Sequence, residues 1–163
     1  MIVLALDQAL KVTGYAVFQK DKLIKNGTFQ TPAYKSMSQR LLNIVDNLNR
    51  IYADYEFDKI YFEDIQLQAA NALTFKHLAY VQATIIMWCG FNNIDYEILS
   101  ASHWRKILGG KFGRKREEQK QHAVELVKYW YNIDVSSDEA DAICLGRAGI
   151  QESKQNEVAF NDE

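Results

Sequence analysis

Met1-Ile-Val-Leu-Ala-Leu-Asp7 and the nearby Val12-Thr-Gly-Tyr-Ala-Val-Phe18 decide the fold. The first is a continuous apolar run of strand length, which predicts a strand buried on both faces at the centre of a sheet, ending at the carboxylate of Asp7. The second, after a polar turn, reads as another strand. Gln19 to Lys22 makes a further turn and Leu23 to Phe29 a third strand, with Asn26-Gly27 marking a bulge or bend. Three strands joined by short turns form an antiparallel meander.

Working outward, Leu41, Leu42, Val45, Leu48, Ile51 and Tyr52 recur at helical spacing behind Ser36, which predicts an amphipathic helix to about Tyr55. Asp58 to Phe62 reads as a strand ending at Glu63, and Ala69 to Cys89 as a long helix with Gly90 as its C-cap. Ile94 to Leu99 is another strand. Ser102 caps a short helix to Leu108, and Gly109 to Gly113 forms a loop. A helix follows from about Arg116 to Tyr131. The last one starts near Ser137, since Ser136-Ser-Asp-Glu139 offers a capping box, and runs to Ile150; residues 151–163 are polar and expected as a flexible tail. The order implies one α/β domain: a mixed five-stranded sheet with an antiparallel edge meander and helices on both faces.

With 163 residues, a net charge of −2, 48% hydrophobic residues and a single proline, the chain can bury a core and is too apolar to rest on disorder. Cys89 and Cys144 lie in apolar stretches without metal-ligand or disulfide spacing, so buried thiols in a reducing compartment are expected. No apolar run approaches the ~20 residues of a membrane span, and the expected location is cytoplasmic.

The acidic residues carry the chemical argument. Asp7 and Glu63 close the first and fourth strands, which as parallel neighbours would bring two carboxylates to one sheet edge. Asp138 and Asp141, three apart at a helix start, project one turn above the other. Such a cluster is unfavourable without a cation, and oxygen-only ligands select hard ions such as Mg²⁺ or Mn²⁺. Two such ions serve phosphodiester hydrolysis. Individually these acids also read as turn residues, helix-dipole partners or solvated strand ends. Between His103 and His122, Arg105, Lys106, Lys111, Arg114, Lys115, Arg116 and Lys120 stand against only Glu117 and Glu118, a basic strip suited to a polyanion or simply to solvent.

Leu4-Ala-Leu-Asp7 with Val12-Thr-Gly-Tyr-Ala-Val17, then Tyr61-Phe-Glu63, Asn71-Ala72, Leu78-Ala-Tyr-Val-Gln-Ala83 and Ser137-Asp-Glu-Ala-Asp-Ala142, together resemble the ordered motifs of the RuvC-type Holliday junction resolvases over Met1 to about Ile150. The chain looks most like a bacteriophage-encoded member, which would act in the host cytoplasm. The resemblance implies a ribonuclease H-like fold with residues 1–150 as the nuclease domain. It also implies a homodimer that cuts branched DNA such as four-way junctions, leaving 5′-phosphate and 3′-hydroxyl ends; replication forks and flaps stay open as alternative substrates. Asp7, Glu63, Asp138 and Asp141 match the four catalytic and metal-binding acids, with two Mg²⁺ ions per site and Mn²⁺ able to substitute.

Three departures stand out. Gln8-Ala-Leu10 replaces the family's Pro-Gly-Ser after the first aspartate. Gln66 stands where cellular resolvases carry an aromatic wedge; it can hydrogen-bond DNA bases but supplies no apolar wedge. Glu117 occupies a position where the family places a lysine, so Lys115, Arg116 or Lys120 could serve instead. Lys111 and Lys115, beside Gly113, are the preferred phosphate contacts, with Arg105 and Lys106 behind them. His103 and His122 receive no role, and His77 faces solvent or a dimer interface. The segment Leu73 to Trp88 is apolar almost all round, leaving one face for the sheet and a second for another protomer.

A non-catalytic branched-DNA-binding module of the same fold is the alternative, set against the complete acid set. An actin-like ATPase or sugar kinase needs a second lobe for which the chain has no room. Cleavage of RNA in hybrids stays open, since the acids do not separate it from branched-DNA cleavage.

Overall fold

The computed structural model describes residues 1–66 and 71–161. In chain order these form β1 (Ile2–Asp7), β2 (Val12–Gln19), β3 (Lys22–Gln30), α1 (Met37–Tyr55), β4 (Lys59–Glu63), α2 (Ala72–Asn92), β5 (Asp95–Leu99), α3 (Ala101–Leu108), α4 (Arg116–Tyr131) and α5 (Ser137–Asn161). The sheet order is β3-β2-β1-β4-β5. β1 pairs antiparallel with β2 and parallel with β4, and β4 parallel with β5, so the meander and the crossovers through helices are both present.

Alternation along the strands divides the core in two. Leu4, Leu6, Val17, Ile60 and Phe62 pack under α1 and α2, with Ile44, Leu48, Ile51, Val81, Ile85 and Trp88 from the helices. Val3, Ala5, Ala16, Phe18 and Tyr61 face the other way, onto α3, α4 and α5. β1 is therefore buried on both faces, as its unbroken apolar run requires. Full burial of each large side chain contributes about 1.5–3 kcal/mol, so both layers are needed to hold β1 at the centre.

Small residues set how closely α5 lies on the sheet. A side chain at Gly146 would meet Phe18 and Ala5 within 2.7 Å, and one at Gly149 would meet the ring of Tyr61 at the same distance. The α5 backbone thus rests directly on Ala5, Phe18 and Tyr61.

Several boundaries differ from the sequence expectation. The register shift in the meander falls between Val17 and Phe18, with Ile24 the extra residue opposite, not at Asn26-Gly27. Gly27 instead leaves room for the Tyr15 ring, which a side chain there would strike at 2.8 Å. α2 passes through Gly90 and ends on Asn93 in the left-handed conformation; its N-cap is Asn71, and the Ala69 start expected from the sequence lies outside the described residues. Ser100, not Ser102, caps α3 through the His103 N–H.

Residues 151–161, expected as a flexible tail, continue α5 as helix. Residues 152–154 have specific partners. Ser153 Oγ lies 2.6 Å from the Tyr61 hydroxyl, Glu152 pairs with His103 at 2.7 Å, and Lys154 pairs with Asp21 at 2.9 Å. Cys89 and Cys144 are buried free thiols, as expected. Among the described residues no helix is long and apolar enough to cross a membrane.

Candidate active site

Strand parity brings the first two acids together. Asp7 follows Val3 and Ala5 on the α5 side of β1, and Glu63 follows Tyr61 on the same side of β4. The parallel ladder runs through Leu6 opposite Phe62, so Asp7 and Glu63 are the next residues along it. Two carboxylates on neighbouring strands thus emerge at one end of the sheet, on the face that α5 crosses.

Gly14 brings in the other two. It is the antiparallel partner of Asp7 on β2, and a side chain on it would lie 2.0 Å from the Asp138 carbonyl oxygen. Because the position opposite Asp7 carries no side chain, the first turn of α5 seats over the strand there. The acids of that turn divide by role. Glu139 accepts hydrogen bonds from the Ser136 N–H at 2.9 Å and the Ser136 hydroxyl at 2.8 Å, while its N–H returns one to Ser136 Oγ, completing the expected capping box. It also accepts from Asn26 of β3 at 2.8 Å. Asp138 and Asp141 line the cleft.

The cleft has a volume of about 470 Å³ and is lined by Asp7, Glu63, Asp138 and Asp141 together. Burial, followed by the charges of Asp141, Glu63 and Asp138, holds the Asp7 carboxyl well above the ordinary carboxylate range, with Lys120 opposing. Burial also pushes Asp141 up to about 7, against Lys120 and Arg105 and with help from Glu63 and Asp138. Glu63 is raised by burial, opposed by its hydrogen bond from Trp104 and by Arg105 and Arg116. Mutual repulsion in a poorly solvated site is the state a hard divalent cation relieves, and the donors are all oxygen. The donor chemistry therefore fits such a cation, while among the described residues no three acidic, histidine or cysteine side chains are already gathered into a ligand cage.

The basic strip divides. Arg105, Arg114, Arg116 and Lys120 line the cleft, and so does Gln66; Lys106, Lys111 and Lys115 are not among its lining residues. Lys120 Nζ reaches Asp138 Oδ1 at 3.2 Å and Ser137 Oγ at 3.3 Å. The Arg105 guanidinium lies over the Trp104 ring at 4.8 Å. Lys115, one of the two lysines preferred from the sequence, precedes α4, where its N–H and that of Arg114 both donate to Glu118 at 3.2 Å. That contact fixes the turn that aims Arg114 and Arg116 inward. Facing these cations, Asn71, Thr74, Phe75 and Leu78 from the start of α2 form the other wall.

Sequence reasoning missed three residues that hold the site. Gln8 is 6% exposed, and its side-chain amide pairs with the Glu63 backbone, donating to the carbonyl and accepting from the N–H at 3.2 Å. Its place beside Asp7 is the only signal of this role in the sequence. Trp104 is fully buried and donates its indole N–H to Glu63 Oε2 at 2.8 Å. Arg40 of α1 donates to the Leu10 carbonyl at 2.8 Å and to Thr31 Oγ1 at 3.1 Å, tying down the loop after Asp7. Nothing local to Arg40 in the sequence marks that long-range contact.

The sheet order, with acids at the ends of β1 and β4 and at the start of the helix crossing them, defines a ribonuclease H-like α/β protein. Residues 3–147 match the family model described as crossover junction endodeoxyribonuclease RuvC, and the chain belongs to that family. It is 28% identical over 149 residues to the Crossover junction endodeoxyribonuclease RuvC of Rickettsia akari, covering 89% of this chain and 94% of that protein. The Rickettsia typhi protein of the same name is 25% identical over 158 residues, covering 94% and 99%. Among solved structures, Thermus thermophilus RuvC in complex with Holliday junction substrate superposes with a TM-score of 0.79 at 12% identity, covering 95% and 96% of the two chains. The fowlpox virus resolvase in complex with Holliday junction DNA gives 0.60 at 15% identity, covering 94% and 99%.

Proposed function

We propose that this chain is a metal-dependent endonuclease that cuts Holliday junctions and other branched DNA, with residues 1–150 as the nuclease domain and Asp7, Glu63, Asp138 and Asp141 holding two Mg²⁺ or Mn²⁺ ions. The carrying observation is that four carboxylates from β1, β4 and α5 line one cleft whose other lining includes Arg105, Arg114, Arg116 and Lys120. Bound divalent ions supply Lewis acidity at phosphorus and lower the pKa of an attacking water. The chain's own residues do the rest. The cationic wall binds the phosphate backbone, Gln66 offers an amide to bases, and Lys120 orients the Asp138 carboxylate.

The proposal includes a homodimer formed through α2. Leu73, Tyr80, Met87 and Phe91 are 64%, 38%, 56% and 81% exposed, and at these spacings they share one side of the helix. An apolar stripe of this kind supports a self-complementary interface, and two copies provide two sites for paired cuts in a symmetric junction.

The test is a cleavage assay on an end-labelled four-way junction, beside a Y-fork, a linear duplex and an RNA–DNA hybrid, in Mg²⁺ or EDTA. Paired nicks in the junction strands that require the metal are expected. Tight junction binding without cutting in either Mg²⁺ or Mn²⁺ would reduce the protein to a binding module, and preferential cutting of the hybrid would redirect the reading to RNA.

A further inference from the structure

We propose that Gln8 and Trp104 are positioning residues that lock Glu63 by its main chain and by one carboxylate oxygen, so that the other oxygen is presented to the cation in a fixed direction. This rests on the reading of Glu63 as a metal ligand.

The argument starts at the end of the β1–β4 ladder. Parallel pairing runs to Leu6 opposite Phe62 and stops one residue short of Glu63. The Glu63 N–H and C=O at that end would lose their strand partner. The primary amide of Gln8 has the donor and acceptor of a peptide group and satisfies both at once, so the side chain extends the ladder by one step. Gln8 is bonded directly to Asp7. Its amide therefore ties the backbone of one acid to that of the other.

Trp104 acts from the opposite side. The indole has one polar atom, and in this fully buried ring it donates to Glu63 Oε2 at 2.8 Å. The ring is held edge-on by Phe112, centroids 5.4 Å apart, with the Arg105 guanidinium over it at 4.8 Å. The N–H direction is thus fixed by packing. With one lone pair of Oε2 taken by the indole and no hydrogen bond to Oε1 among the described residues, Oε1 is the freer oxygen for a ligand. Outer partners of this sort set the orientation of a metal-binding carboxylate, and losing one typically lowers metal affinity by about 10–100-fold.

The test uses Gln8→Met and Trp104→Phe in the full chain. Each keeps most of the apolar volume and removes the hydrogen bonds. Mn²⁺ binding to DNA-free protein is read from the electron paramagnetic resonance of the free ion, junction affinity in Ca²⁺, and single-turnover cleavage across Mn²⁺ concentrations. A rise of about tenfold in the Mn²⁺ dissociation constant is expected for each variant. The Mn²⁺ concentration for half-maximal cleavage should rise by the same factor, with junction affinity unchanged. A residue that served folding alone would lower the melting temperature and leave these Mn²⁺ values where they were. Wild-type Mn²⁺ affinity in both variants overturns the proposal. If Gln8→Met fails to fold, Trp104→Phe decides alone, because it preserves the ring, and unchanged affinity there overturns the proposal equally. Wild type that binds Mn²⁺ and never cuts would defeat the nuclease reading, while the resonance measurement would still decide the clamp.

Discussion

The two ends of the sheet carry the same kinds of acidic residue and treat them in opposite ways. Where β1 and β4 begin, three carboxylates have partners. Asp58 accepts from the Ile2 N–H at 2.6 Å, Glu97 pairs with Lys59 at 2.6 Å, and Asp21 pairs with Lys154 at 2.9 Å. The Lys154 hydrogen bond holds Asp21 below the usual carboxylate range. Where β1 and β4 finish, burial holds Asp7, Glu63 and Asp141 above that range, reinforced at Asp7 and Asp141 by the charges of neighbouring acids, with Lys120 as the one cation in salt-bridge contact with the four acids among the described residues. Folding alone would favour the first arrangement at both ends. Strain confined to one end is what the proposed cation would relieve there.

Breaking the strained end should give the largest effects. Asp7→Asn is expected to lower junction cleavage by about 10³-fold or more, since it removes one of the proposed metal ligands. Binding in Ca²⁺ should persist. The same substitution relieves burial and repulsion of a charge, so the metal-free protein should gain stability, read as a rise in the melting midpoint. Loss of junction binding in proportion to cleavage would contradict the metal role. Gly14→Ala tests the geometry without touching an acid. A methyl group cannot occupy a point 2.0 Å from the Asp138 carbonyl, so the start of α5 must shift. A destabilisation of about 3 kcal/mol is expected, with loss of cleavage, and near-wild-type values for both would mean that α5 is not seated by that contact.

The pH dependence follows from the direction of the shifts. Asp141 titrates near 7 in the folded chain; in the unfolded chain it titrates near the ordinary carboxylate value of about 4. A raised folded pKa means a contribution that is fully present below the unfolded value and lost as pH rises through the folded one. Cation-free protein should therefore lose stability between pH 5 and pH 8, and Asp141→Asn should remove part of that loss, as denaturant titrations at the two pH values would show. Saturating Mg²⁺ should flatten the difference, because the cation replaces the proton. Cleavage should fall as pH drops below about 7. A cation-free protein more stable at pH 8 than at pH 5, in a way that depends on Asp141, has the wrong sign for this account.

Much of this contrast was legible in the sequence, for a physical reason. A six-residue apolar run bounded by a turn fits a doubly buried strand better than a helix, so Met1 to Leu6 placed β1 at the centre and Asp7 at its end. The capping box at Ser136 likewise fixed the start of α5 and the shared side of Asp138 and Asp141. What stayed hidden depends on distant partners. Gln8, Trp104 and Arg40 act through contacts 55, 41 and 30 residues away along the chain. Residues 151–161 looked like a frayed tail because polar side chains give no sign of the partners that await them on α3, β4 and the β2–β3 turn.

The division within the basic strip gives a smaller, graded effect. Replacing Arg114 and Arg116 by Gln should flatten the dependence of junction affinity on salt by about 0.9 per lost phosphate contact. Lys111→Gln with Lys115→Gln should change the slope less, because neither side chain is among those lining the cleft. The reverse ranking would place the DNA backbone along the outer face of the Gly113 loop.

The smallest effect belongs to the paired end, and it tests whether the two ends are independent. Lys154→Gln breaks the contact with Asp21, in which both side chains are largely exposed. Exposed pairs of this kind contribute little, since solvent screens the attraction and two flexible side chains must be ordered to make it. No measurable shift in the melting midpoint and no change in cleavage rate are expected. Lys154 nevertheless lies on the same helix as Asp138 and Asp141, and Tyr61, Phe18 and Ala5 grip that helix between them. If Lys154→Gln slowed cleavage with the midpoint unchanged, the outer turns of α5 would be steering its first turn, and the helix would couple the two ends as a rigid lever across the sheet.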